Sequence, residues 1–434
     1  MTDLAVGFLG IGALFALMIF RTPVAFAMLL VGFFGIWVLS GFKAAGGVLL
    51  TESYAVVSGY ALIVVPMFIL LGNVASAAGF SRGLYDAAFA WVGRFRGGLA
   101  SASVIGCAMF SAVSGSSVAT AVTIGKVALP EMKRLGYGPG LATGAVAAGG
   151  TLGFLIPPST GFVIYAILTE ESIGRLFMAG VLPGLLLMAL FILTVWIMSV
   201  IDPAAGPRGP AVPVAQKLRL ALQAMPLILV ILLSIGGIYL GVFTPVEASG
   251  IGAALVILLA VASRRITADA FRRALFDTVK TSAMLYMVVI GANVLNPFLA
   301  LTHIPTALGE GLAGLGLGPY GALAVVVIAY VILGMFLDGL SMLVVTIPIV
   351  FPIMMANGFD PIWFGVVAVI VVEMGMITPP VGLNVFVVKG IAPDVPMATI
   401  FRGVTPFLLA MALCLLLIVI FPQIALFLPN SMFG

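Results

Sequence analysis

Ten nearly uncharged apolar runs, each of membrane-crossing length, fill most of this chain: 4–20, 23–41, 59–78, 141–168, 176–200, 224–242, 246–262, 281–300, 362–388 and 404–427. A helical span needs about 20 predominantly apolar residues, and inside lipid every backbone N–H and C=O must be satisfied within the protein. The fold class that follows is an all-α polytopic membrane protein. A composition of 63% hydrophobic and 8% charged residues excludes an ordinary soluble domain. The net charge of +4, carried in short connections, argues against a nucleic-acid partner. The first run follows Asp3 rather than a basic stretch and lacks a small-residue cleavage signal, so it reads as a retained span. Cys107 and Cys414 lie in separate apolar runs and read as small core residues.

Inside this apolar background sit four breaks. Segments at about 99–125 and 319–350 are interrupted by Ser114-Gly115-Ser116-Ser117 and by Asp338-Gly339-Leu340-Ser341. The run at 141–168 is broken at Pro157-Pro158-Ser159-Thr160, and that at 362–388 at Thr378-Pro379-Pro380-Val381-Gly382. Non-helical backbone at membrane depth is tolerated only where protein buries it or where it lines a cavity. The first two segments are expected to be re-entrant hairpins and the last two broken helices. Charge supports the hairpins: with the N-terminus outside, all of the 19 Lys and Arg except Lys43 and Arg175 fall on the cytoplasmic side. Making the first hairpin a full crossing would move Lys126, Lys133, Arg134, Arg208, Lys217 and Arg219 outside. The basic amphipathic stretches Ser81–Arg96 and Arg264–Phe276 are then cytoplasmic, either as interface helices or as loop helices packed on neighbouring spans.

An internal repeat divides the chain. At an offset of 222, Thr22-Pro23-Val24 recurs as Thr244-Pro245-Val246, and Pro130, Met132, Gly136 and Pro139 meet Pro352, Met354, Gly358 and Pro361. Gly153, Pro157 and Pro158 meet Gly375, Pro379 and Pro380. The expected organisation is a first repeat over 1–200, a cytoplasmic linker over 201–222 and a second repeat over 223–434. Each repeat has about five spans and one hairpin, an odd number of crossings, so the two must be inverted. Inverted repeats with broken helices near the midplane mark secondary transporters.

The breaks supply the candidate site. Neutral hydroxyls and freed carbonyls can enclose a small hard cation, and half-helix N-termini face an anion. Sodium candidates are Ser114, Gly115, Ser116, Ser117, Pro157, Ser159 and Thr160 in the first half. In the second half they are Asp338, Gly339, Thr378, Pro380 and Gly382. Substrate candidates are Ser116, Ser117, Thr120, Ser159, Ser341 and Asn384. Asp338 reads equally as a cation ligand and as the cap of a half-helix. Glu373 reads first as a structural pair or a partner for a hydroxyl, Asn73 and Asn293 as interhelical hydrogen bonders, Glu247 as a span-end residue and Arg175 as a solvated side chain. His303, the one histidine, falls in an outer loop, so a metal site built on histidine is not expected. No P-loop, His-Glu-x-x-His or Gly-x-Ser-x-Gly occurs, and no acid–base or nucleophile–base constellation emerges, so the chain is not expected to be an enzyme.

These stretches resemble the large membrane subunit of tripartite ATP-independent periplasmic (TRAP) transporters. The resemblance is carried by SGSSVATAVTIG at 114–125, LPEMKRLGYGPG at 129–140, TLGFLIPPS at 151–159 and LFMAGVLPG at 176–184. It continues in FLDGLSM at 336–342, GFDPIWFG at 358–365 and TPPVGLNVFVVKGIAPDVP at 378–396. It implies a secondary transporter subunit in the bacterial inner membrane that imports an organic acid, coupled to a Na+ gradient. A periplasmic substrate-binding protein supplies the substrate, and a separate four-helix small membrane subunit completes the assembly. It also implies an elevator-type transport domain moving against a scaffold, with the sodium sites in the hairpin tips and broken-helix loops. A stand-alone sodium/dicarboxylate symporter, needing no binding protein, is the alternative, and uptake by this chain alone would favour it. A channel-like or purely structural membrane partner would show no response to sodium.

Overall fold

The computed structural model describes residues 2–432, and among them there is no strand. The first half contains α1 (Asp3–Ile19), α2 (Val24–Ser40), α3 (Phe42–Ser58), a 3-10 turn (Tyr60–Ile63) running into α4 (Val64–Ala77), and α5 (Phe80–Val92). It continues with α6 (Gly98–Ser114), α7 (Ser117–Arg134), α8 (Pro139–Leu155), α9 (Thr160–Thr169) and α10 (Ile173–Ile201). The second half contains α11 (Val214–Tyr239), α12 (Pro245–Ala262), α13 (Ala268–Leu301), α14 (Ile304–Gly314) and α15 (Gly318–Gly334). It ends with α16 (Gly339–Ala356), α17 (Pro361–Ile377), α18 (Leu383–Ile391), α19 (Met397–Ile420) and α20 (Gln423–Met432). Eight helical stretches are long and apolar enough to cross a membrane, and α1, α2, α6 and α17 are shorter apolar helices.

Each interrupted segment folds back on itself. The Leu99 N–H at the start of α6 donates to Tyr137 Oη beyond the end of α7, at 3.0 Å. In the second pair, Tyr320 near the start of α15 meets Phe359 beyond the end of α16 edge to face, with centroids 5.8 Å apart. Both hairpins extend further than 99–125 and 319–350, because α7 and α16 each continue through an internal proline, Pro130 or Pro352. The sequence offset recurs in the helix boundaries. The 18-residue helices α7 and α16 begin at 117 and 339, and the 17-residue helices α8 and α17 at 139 and 361, each difference being 222. The Pro157–Pro158 and Pro379–Pro380 peptide bonds are both cis.

Helices α8 and α17 form the middle of the core. Every residue from Leu141 to Leu155 is buried, as is every residue from Ile362 to Ile377 except Met374. Such helices carry no amphipathic signal because neighbours cover them on all sides. Glycines let the other large contacts close: a Cβ at Gly291 of α13 would lie 2.5 Å from the Ala25 carbonyl oxygen of α2. At one end of the bundle Lys133 Nζ reaches Asp394 Oδ2 at 2.7 Å, joining the end of α7 to the loop before α19. That hydrogen bond holds the Asp394 carboxyl below its usual range.

Several boundaries differ from the sequence reading. Arg264–Phe276 is not a separate interface helix: capped by Thr267, α13 runs unbroken for 34 residues from Ala268. No proline interrupts it before Pro297, so the basic stretch is continuous with the span that follows. The helical boundaries leave only 202–213 between α10 and α11, fewer residues than the expected linker. Helix α3 was not expected at all. Its mixed pattern, with Lys43 and Glu52 among apolar residues, falls below the hydropathy of a span, and Phe42, Leu50, Tyr54 and Val57 are exposed along it.

Candidate functional site

The first hairpin tip and the first broken helix form one hydrogen-bonded unit. Gly115 ends α6 in the left-handed conformation (φ 60°), and a Cβ there would lie 2.7 Å from the Pro158 carbonyl oxygen. Glycine is the residue that meets both demands, positive φ and close backbone approach. Its own carbonyl accepts from the Thr160 N–H at 3.2 Å and from Thr160 Oγ1 at 2.8 Å. Ser114 and Thr120 hydroxyls pair at 2.7 Å. Ser116 caps α7 by accepting from the Ala119 N–H, and Ser159 caps α9 by accepting from the Phe162 N–H. Ser159 also donates to the Phe154 carbonyl. The tip rests on Gly153, where a Cβ would be 2.5 Å from the Ser116 carbonyl oxygen.

The second pair is built on the same plan with different chemistry. Asp338 caps α16: Oδ1 accepts from the Ser341 N–H at 3.0 Å and Oδ2 from the Ser341 hydroxyl. Gly382, again at positive φ (62°), donates its N–H to the Met335 carbonyl at 3.4 Å. The Thr378 hydroxyl donates back to the Met374 carbonyl at 2.6 Å. Pro157 and Pro158 are buried while Pro379 and Pro380 are exposed, so the second bend is the open one. Asn384, the second residue of α18, is fully buried, and neither its Oδ1 nor its Nδ2 has a partner.

Two of the contacts between the halves involve helix starts at the breaks. Ser117, first residue of α7, donates to Glu373 Oε1 of α17. A Cβ on Gly339, first residue of α16, would lie 3.4 Å from the ring of Phe154 in α8. Helices α7, α9, α16 and α18 all start, and α6, α8, α15 and α17 all end, at these breaks. Helix starts carry partial positive charge and free N–H groups, and helix ends carry partial negative charge and free carbonyls. Each break therefore offers donors suited to an anion and carbonyls suited to a cation.

The sequence-based set gathers into two clusters, Ser114, Gly115, Ser116, Thr120, Pro157, Ser159 and Thr160 in one, and Asp338, Gly339, Ser341, Thr378 and Gly382 in the other. Sequence reasoning left Glu373 outside the site, although its bond to a hydroxyl is as expected. Its Oε2 is buried without a partner. A lone carboxylate in a span was the available signal. Gly153 was marked only by the repeat, and Phe154 and Met335 gave no signal of their own, since their importance lies in what packs against them. Elsewhere, Asn73 donates to Thr278 at 2.9 Å and Asn293 to Glu52 at 3.3 Å, and Glu247 forms a capping box with Thr244. Arg175 Nη2 meets Asn430 Oδ1 at 3.4 Å. Among the described residues no three or more of His, Cys, Asp and Glu group together, so a bound cation would need hydroxyl and carbonyl oxygens beside any single carboxylate.

Half-helices that start and end at breaks, within a bundle of apolar spans, build a secondary-transporter core. Residues 11–424 match the family described as the tripartite ATP-independent periplasmic transporter, DctM component, and the chain belongs to that family. It is 37% identical over 372 residues to the C4-dicarboxylate TRAP transporter large permease protein DctM of Pseudomonas aeruginosa, covering 86% of each chain. With the protein of the same description from Vibrio cholerae it shares 36% identity, covering 86% of this chain and 87% of the relative. The sialic acid TRAP transporter large permease protein SiaM of Vibrio cholerae is 31% identical, covering 87% of this chain and 88% of the relative. In fold the chain resembles the YdaH transporter of Alcanivorax borkumensis, with a TM-score of 0.61 at 16% identity, covering 90% and 88% of the two chains. The protein is thus an inner-membrane permease subunit and not an enzyme. The stand-alone symporter reading finds no support, because the family is a component of a tripartite system.

Proposed function

We propose that this chain is the sodium-coupled large permease of a tripartite importer for an organic acid, a C4-dicarboxylate in the first instance. The relatives at 36–37% identity carry that substrate in their names. The observation that carries the reading is that four helices start at the breaks, one of them with a fully buried, unpartnered amide at Asn384. A carboxylate there finds N–H donors, and sodium ions at the helix ends balance its charge. Each hairpin enters and leaves the bilayer on one face, the halves are inverted, and the hairpins with the broken helices travel together against the remaining spans. A periplasmic binding protein delivers the substrate, and a small four-helix membrane subunit completes the complex.

The test is uptake into vesicles holding the complete complex, with and without an inward sodium gradient. Uptake indifferent to that gradient overturns the coupling, and normal uptake by the Ser116→Ala and Asp338→Ala variants overturns the site. Asp338→Asn separates two roles. Asparagine caps a helix as well as aspartate does, so thermal stability should hold. Removing a charged ligand should raise the half-saturating sodium concentration by at least about tenfold. An unchanged sodium dependence would leave Asp338 as a cap alone.

A further inference from the structure

Two cavities lie end to end along one side of α6 and α10, between the α5–α6 connection and the first bend. The first, about 710 Å³, is lined by Arg94, Arg96 and Arg208 and by Ile192, Leu193 and Trp196 of α10. The second, about 550 Å³, is apolar, walled by α6, α10 and α11, and reaches Ile156 and Pro157 at the first bend. The lining residues show that they form one groove. On α10, Val181, Leu185 and Met188 of the second cavity continue into Ile192 and Trp196 of the first, at steps of four, three, four and four. On α6, Ser101 of the first cavity leads to Ile105, Ala108 and Ala112 of the second, at steps of four, three and four. Both series follow a single helix face. At 1.5 Å per residue the α10 stripe is about 22 Å long, more than the ~15 Å depth of one hydrocarbon leaflet.

The groove is polarised. Arg94, Arg96 and Arg208 stand at one end, no Asp or Glu lines either cavity, and none of the three arginines forms an ion pair among the described residues. Lys217 lies close by in the same basic region, over the ring of Trp91 at 5.6 Å. Trp196, half-exposed beside the arginines, suits the level of the lipid headgroups. These arginines belong to the connections that the positive-inside rule places in the cytoplasm. Guanidinium groups bind phosphate in a fork, and basic pockets between spans on that face take anionic headgroups.

We propose that this groove binds one anionic phospholipid of the inner leaflet. Its phosphodiester sits on Arg94, Arg96 and Arg208, and one acyl chain runs between α6, α10 and α11 to the first bend. Charge fixes the headgroup and the apolar groove fixes the chain, so both must contribute to retention.

Native mass spectrometry of the purified membrane complex, with phosphatidylglycerol or phosphatidylcholine of the same acyl chains added, tests this. Phosphatidylglycerol should be retained preferentially, and replacing Arg94, Arg96 and Arg208 by glutamine should weaken its retention about fivefold per arginine. The corresponding lysine variant, which keeps the charges, should retain most of the binding. Gly236→Leu places a side chain in the apolar half from a position where a Cβ has nothing within 4 Å. It should reduce retention while leaving the headgroup site intact. Equal retention of the two lipids, or undiminished retention by the glutamine variant, overturns the proposal. So does retention by the isolated chain but not by the complex, because a helix of the small subunit would then be the occupant.

Discussion

Replacing Asn384 by leucine should yield a protein that unfolds at a higher temperature than the wild type and transports at least about a hundredfold less. Asparagine and leucine have side chains of the same branched shape with four non-hydrogen atoms each, and the side chain at 384 is fully enclosed. Its amide makes no hydrogen bond, so folding has taken both polar atoms out of water without compensation. That costs about 1–3 kcal/mol, which leucine would recover. Natural chains keep such groups where a ligand completes them, and a site made to hydrogen-bond its ligand discriminates strongly once the bond is lost. Opposite signs in the two measurements are the signature. Thermal unfolding in detergent and substrate uptake in vesicles measure them. A leucine variant that is less stable, or one that transports normally, would show that Asn384 serves the fold alone.

Gly403→Val should prevent a folded protein from accumulating in the membrane. Helices α8 and α19 cross with Gly140 and Gly144 of one against Gly403 of the other, and any Cβ at Gly403 would overlap the Gly140 carbonyl. Small residues allow backbones in a membrane to approach this closely, where dispersion replaces the hydrophobic drive. Ordinary overpacking costs about 1–3 kcal/mol through side-chain adjustment. Here the obstacle is backbone on a helix buried from Leu141 to Leu155, so the helices must separate. Extraction in mild detergent followed by size exclusion measures the outcome. Gly46→Val in α3, where a Cβ would have nothing within 4 Å, should behave as wild type. Equal recovery of the two variants would remove the crossing from any account of stability.

The spans were legible because burial in lipid imposes length and composition on each helix separately. The breaks were legible for the same reason: Ser114–Ser117 and Pro157–Thr160 are conspicuous in an apolar chain. Helix α3 and the start of α13 were not, since Phe42–Ser58 and Ala268–Lys280 mix charged and apolar residues without membrane-span hydropathy. Capping of α16 by Asp338 was one of two open readings, and the structure forms the cap, which does not decide between it and cation ligation. Glu373 was visible as a charge in a span, yet its partner Ser117 lies 256 positions away.

What the residues settled alone was a helical membrane protein with four interruptions recurring at a fixed offset, because hydropathy, proline and glycine act within a few residues of where they occur. The tertiary structure decided which interruptions touch. It set Thr160 against Gly115, Gly382 against Met335 and Ser117 against Glu373, and it left Asn384 enclosed with its amide unpaired. Those pairings depend on how close two backbones come, and that distance is fixed by glycines and side chains on helices remote in the chain.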